Sequence, residues 1–101
     1  LDWFNGVRTP LMDFNLNGLI MGMNLLTKPE EIYLSLIEAT AYGTRMIIEG
    51  FEEAGLEVKD ITLSGGIPIK NEMLVQVYSD VCNRKLKLLI LHNQVPLVRQ
   101  F

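Results

Sequence analysis

Ile61-Thr62-Leu63-Ser64-Gly65-Gly66, followed by Ile67-Pro68-Ile69-Lys70-Asn71, is the stretch that decides the fold. A short apolar run entered from the charged turn Glu57 to Asp60 reads as a buried strand, and its end feeds directly into paired glycines. Asn71 is a good N-cap. Met73, Leu74, Val77, Tyr78 and Val81 then recur at helical spacing and predict a helix ending near Asn83. In a strand, glycine turn and helix joined in that order, the glycines remove side-chain bulk so that a ligand can lie against the backbone. The following helix offers unpaired amides to negative charge. Taken alone, such a turn is more often only a tight connection, and neither Gly-x-Gly-x-x-Gly nor a Gly-Lys-Ser/Thr ending is present.

Downstream, Leu86-Lys87-Leu88-Leu89-Ile90-Leu91 alternates and then becomes wholly apolar, as a final strand does. Upstream, Thr27-Lys28-Pro29-Glu30 predicts a helix start, with Thr27 as the cap, Pro29 in the first turn and Glu30 at the capping-box position. Ile32, Leu36, Ala39, Tyr42 or Gly43, Met46, Ile47, Gly50 and Phe51 form one stripe, and Gly55 closes the helix. From about Lys28 to Ala54 it would run roughly 40 Å at ~1.5 Å per residue, long enough to cross a sheet. Gly43 and Gly50 are expected at close packing, since each weakens the helix by about 1 kcal/mol relative to Ala. Gly18 to Met23 is short, apolar and bounded by Asn17 and Asn24, which predicts a first strand; residues 1 to 17 read as loop. The expected order is strand, helix, strand, helix, strand, in an α/β layered domain with crossover connections.

The chain has 101 residues, 49% of them hydrophobic, which allows one domain or part of one with a real core. A net charge of −3 supplies no positive field for nucleic acid. The apolar run Leu16 to Leu26 is shorter than the roughly 20 residues of a membrane span. Cys82 is the single cysteine, as a reducing, cytoplasmic compartment allows. The opening at Leu1 has no initiator Met and no signal-like segment, as expected of a piece of a longer chain.

Few side chains invite chemistry. Lys70, just before the second helix, can extend its ammonium or its stem toward a bound nucleotide, and reads equally well as a solvated lysine. His92 has no Cys, Asp or Glu close by, so it reads as structural or exposed. Gln76 and Asp80 stand four apart on one helical face and are expected to pair. Cys82 lacks a nearby base, and the five methionines suit core filling.

Two strings, Leu-Ile-Glu-Ala-Thr-Ala-Tyr-Gly-Thr-Arg (36 to 45) and Gly-Gly-Ile-Pro-Ile-Lys-Asn-Glu-Met-Leu-Val-Gln-Val-Tyr-Ser-Asp-Val (65 to 81), occur in order and at fixed spacing. Together with Asp2-Trp3-Phe4-Asn5-Gly6 and Lys-Pro-Glu-Glu-Ile-Tyr (28 to 33), they resemble the C-terminal signature of the FGGY carbohydrate kinases over residues 1 to about 97. The resemblance implies a partial actin-like, ribonuclease-H-like domain. It belongs to an enzyme in which ATP and a sugar meet in a cleft between two domains and Mg2+ bridges the phosphates. It places Gly65 and Gly66 against the ribose and α-phosphate, and Lys70 in the wall of the adenine pocket. Asn71 opens the next helix, as a cap first and a nucleotide contact second.

No catalytic residue or metal ligand is implied within these 101 residues, because the family's Asp-x-Gly-Thr phosphate loop, sugar pocket and catalytic Asp fall upstream. Where the family continues into a Pro-Ala-Leu-Gly-Ala-Ala helix, this sequence has Pro96-Leu97-Val98-Arg99-Gln100-Phe101, as expected of a truncated segment inactive by itself. The alternative is a non-catalytic actin-like interaction or oligomerisation module. Exposed apolar area would be the mark of such a module; a stripped subdomain should self-associate into homo-oligomers, whereas a self-contained adapter should run as a monomer. A Rossmann-like cofactor binder is disfavoured by the missing third glycine and acidic ribose partner.

Overall fold

The computed structural model describes residues 1–9, 11–92 and 95–100, with side chains up to residue 89 and backbone beyond it. Along the chain come α1 (Pro29–Glu53), β1 (Ile61–Leu63), α2 (Gly66–Lys70), α3 (Glu72–Cys82), β2 (Leu86–His92) and β3 (Val95–Gln100). The mixture is α/β, but the order differs from the expected one at both ends. Residues 18–23 form no strand, because no other strand runs beside them and Gly22 turns the backbone to φ +81°. At the other end β3 folds back on β2, an unexpected strand.

The sheet has the order β1-β2-β3. β1 pairs in parallel with β2, Ile61 opposite Leu86 and Leu63 opposite Leu88, so α2 and α3 are the crossover that a parallel pair requires. β2 and β3 are antiparallel, with Leu91 opposite Pro96. Pro96 has no N–H to give to a ladder and is unusual within a strand. It is tolerated because β3 is the sheet's edge, where a missing N–H need interrupt no ladder.

α1 starts one residue later than its cap signal suggested. Lys28 is the N-cap, and the Glu31 carboxylate, not that of Glu30, accepts from its N–H at 2.9 Å. Thr27 closes the preceding turn instead, its Oγ1 accepting from the Asn24 N–H at 2.9 Å. Pro29 occupies the first turn as expected.

The covered face of α1 is also rotated from the expected stripe. Ile37, Ala41 and Ile48 are buried, whereas Tyr42, Met46 and Phe51 are exposed. Apolar residues lie nearly all round this helix, so their period alone does not say which face meets a neighbour; α3, packed along α1, decides it. Neither helical glycine marks a tight contact. A Cβ at Gly43 would meet only Asp2 Oδ1, at 3.7 Å, and one at Gly50 nothing within 4 Å. Val75 and Cys82 of α3 and Leu86 and Leu88 of β2 complete the core.

The C-terminus of α3 is closed by arginines from outside the helix. Asn83 adopts the left-handed conformation at φ 51°, common after a helix end. Arg45 Nη1 donates to Val81 O at 3.0 Å, and Arg84 Nη1 to Cys82 O at 2.8 Å. Arg84 also donates from Nε to Val58 O at 2.9 Å and pairs with Glu52, tying α3 to α1 and to the segment entering β1. Two cations at the negative end of the α3 dipole satisfy carbonyls that the helix itself leaves unpaired.

Candidate functional site

β1 delivers the chain to Ser64, and Gly65 then takes φ +103° and ψ 178°, a conformation that side chains rarely adopt. Gly66 begins α2 with φ outside the left-handed region. A Cβ built on either glycine meets no atom of the described residues within 4 Å, so among them the bend faces open space. Ile67, Ile69 and Lys70 are exposed around it, and Pro68 is half-buried. Between the glycine turn and the helix opened by Asn71 the chain forms a short turn of helix of its own.

Lys70 closes α2 and has no hydrogen-bond or ion-pair partner among the described residues, so its ammonium is available to an anion. Asn71 caps α3 as expected, its Oδ1 accepting from the Leu74 N–H at 3.1 Å. Its Nδ2 donates to the Tyr33 hydroxyl at 3.1 Å, fixing the amide's orientation and tying α1 to the exit from the bend. Tyr33 belongs to one of the quoted strings, but nothing in the sequence pointed to this contact, since it lies 38 residues away and off the expected core stripe. The four residues expected at the site, Gly65, Gly66, Lys70 and Asn71, therefore lie along one short path, with Asn71 turned inward and the others outward.

The remaining polar residues offer no chemistry here. Gln76 Nε2 donates to Asp80 Oδ1 at 2.9 Å, as expected of that spacing. Burial pushes the Cys82 thiol above its ordinary pKa, only partly opposed by Arg84 and Arg45, so it is a core residue and no nucleophile. The Arg45 guanidinium is held further up by its hydrogen bond and charge pairing with Glu49. The reading of His92 concerns a side chain outside the described ones. Among the described residues, no cluster of His, Cys, Asp and Glu can hold a metal ion, and no helix is long and apolar enough to cross a membrane. Concavities of about 390 and 340 Å³ lie away from the bend, beside residues 20–27 and between Trp3 and Tyr42.

An open glycine bend between a strand and a helix is shared by many α/β proteins, and whole-sequence comparison distinguishes among them. The model of the FGGY family of carbohydrate kinases, C-terminal domain, matches residues 1–97. The chain belongs to this family. Three FGGY relatives are the ribulokinases of Anoxybacillus flavithermus, Geobacillus thermodenitrificans and Bacillus licheniformis, which are 56%, 54% and 52% identical to it over 88 residues. Each alignment takes in 87% of this chain and 16% of the relative, so the chain spans about one-sixth of those proteins. Membership in the FGGY family accounts for both quoted strings, and the mixed helix and strand content fits its C-terminal domain.

Proposed function

We propose that this chain is the adenosine-binding side of an ATP-dependent carbohydrate kinase of the ribulokinase type, the whole enzyme phosphorylating a hydroxyl of ribulose. The observation that carries the reading is Gly66. Gly65 needs its positive φ for folding, but Gly66 has an ordinary φ and empty space where a side chain would sit. A glycine that neither backbone strain nor packing demands is explained by a ligand that must approach the backbone.

In this reading the nucleotide's ribose and α-phosphate lie on the Gly65–Gly66 bend, and Lys70 lines the base pocket with its stem while its ammonium faces the phosphates. Asn71 holds the helix start in place, braced by Tyr33. The bend fits a nucleotide, but no carboxylate occurs between Ile61 and Asn71, so Mg2+ would be held by the phosphates and by residues beyond this chain. The architecture corresponds to part of an actin-like domain, and the setting is cytoplasmic.

Calorimetric titration of the chain with ATP tests this directly. Heat of binding is expected from the unaltered chain and none from Gly66→Val, whose side chain would fill the ligand's place. An unaltered chain that takes up no ATP, or a variant that binds it equally well, refutes the proposal.

A further inference from the structure

The five residues of α2 carry both Gly66 and Lys70, yet none of them is buried. Ile67, Ile69 and Lys70 are exposed, and Lys70 has no partner among the described residues to anchor it. A segment with so little buried surface is placed by its two ends more than by packing.

The ends differ. At the entry Gly65 supplies no side-chain cap, and glycine is the most permissive joint a backbone has. At the exit stands Asn71, which is at once the C-cap of α2 and the N-cap of α3, with φ −135° and ψ 87°. One residue therefore sets the angle between the two helices. Its side chain is engaged on both sides: Oδ1 accepts from the Leu74 N–H at 3.1 Å, and Nδ2 donates to the Tyr33 hydroxyl at 3.1 Å. The first bond is local to α3, so of the two only the second ties the joint to another element.

Tyr33 is suited to be the fixed end of that tie. It lies in the second turn of α1, just past the box in which Lys28 and Glu31 close the helix start, and α1 packs along α3. The residue is 52% exposed and its bond to Asn71 lies at the surface, where water can replace it at little cost to folding. Such a bond orients more than it stabilises.

We propose that Tyr33 is the positioning residue of the glycine bend: its hydroxyl fixes the Asn71 joint and, through it, the place of α2 with Gly66 and Lys70. The consequence for ATP rests on the nucleotide reading; the hold on α2 does not.

NMR relaxation and calorimetry on one set of variants test the two parts separately. Tyr33→Phe keeps the ring and removes the hydroxyl. Backbone order parameters of Gly66, Ile67, Ile69 and Lys70 should fall, those of α3 should hold, and the urea midpoint should stay where it is. ATP affinity should drop roughly 3- to 10-fold, because a loosened α2 spends less time in the binding geometry. Asn71→Ser keeps a capping oxygen but is too short to reach Tyr33. It should weaken ATP binding too, and adding Tyr33→Phe to it should weaken binding no further. Tyr42→Phe, at another exposed tyrosine of α1, should change neither measurement. Unchanged order parameters in Tyr33→Phe would overturn the proposal. So would a loosened α2 that binds ATP as tightly as before, a further loss when the two substitutions are combined, or a midpoint that falls while ATP affinity holds, the mark of a merely structural tyrosine. An unaltered chain that takes up no ATP refutes the nucleotide reading alone, and the order parameters then decide the hold on α2.

Discussion

Replacing Arg84 by Met tests how much of the stability rests on one guanidinium. The substitution keeps the apolar stem and removes three interactions: Nε to Val58 O at 2.9 Å, Nη1 to Cys82 O at 2.8 Å, and the pair with Glu52. A hydrogen bond from a charged donor contributes about 1.5–3 kcal/mol, and here the two carbonyls that would lose their partner are part-buried. The Glu52 pair adds little, about 0–1 kcal/mol, because that carboxylate is 38% exposed. A total loss of about 3 kcal/mol follows at the low end of these ranges. In urea the midpoint should fall while the slope stays constant, and Tm should drop by more than ~10 °C for a chain of this size. Arg84→Lys keeps the charge but not the fork and should lose an intermediate amount. Glu52→Gln should cost under ~1 kcal/mol. A loss below ~1 kcal/mol for Arg84→Met, or a Glu52→Gln variant as unstable as Arg84→Met, would refute the assignment of Arg84 as a clamp on backbone carbonyls.

Two glycines of the N-terminal segment should respond differently to alanine. At Gly6, with φ +74°, a Cβ would lie 2.5 Å from Phe14 Cα and 2.7 Å from Asp13 O, backbone that cannot give way, so Gly6→Ala should cost more than ~2 kcal/mol in chemical denaturation. At Gly18 the obstacle is the Phe4 ring, 2.2 Å away but half-exposed and able to swing, and Gly18→Ala should cost ~1 kcal/mol or less. Cys82 should impose an alkaline limit. Burial raises its folded pKa, so the folded chain keeps a proton that the unfolded thiol releases near ~8.5, and stability should decline as pH rises beyond that value. Urea midpoints measured across that range should fall less steeply in Cys82→Ala.

What the sequence made legible were the elements whose causes are local. Pro29 in a first turn, Asn71 before an apolar period and the run into Gly65 each carry their reason within a few residues, and α1, α3 and β1 form within a residue or two of expectation. Elements that depend on a distant neighbour were not legible. Residues 18–23 have strand composition but no strand to pair with, while β3 pairs with β2 despite Pro96 because it lies on an edge. The covered face of α1 is fixed by α3, some 30 residues on, and an all-round apolar helix does not announce it. Arg84 and Tyr33 escaped notice for the same reason, since their partners at Val58, Glu52 and Asn71 are set by tertiary packing.

The glycine bend was readable because its backbone can be inferred from two residue types, and the same simplicity limits what it can do alone. Small-molecule sites typically bury most of the ligand's surface, whereas Ser64 to Ile67 are exposed and, among the described residues, no atom lies within 4 Å of where a Cβ on Gly65 or Gly66 would sit. A nucleotide held on one side gains part of its binding energy, but phosphoryl transfer also needs an acceptor positioned in line and charge stabilised around the moving phosphate. Nothing in these 101 residues matches the Asp-x-Gly-Thr phosphate loop, and the described side chains gather no carboxylate cluster for a metal. The chain by itself is therefore expected to bind ATP without turning it over. A coupled ADP-release assay with ribulose, ATP and Mg2+ should show no sugar-dependent rate above the buffer control. Turnover that rises with ribulose and disappears in Gly66→Val would show that the site's second wall is present after all, and that one-sided binding is the wrong physical picture.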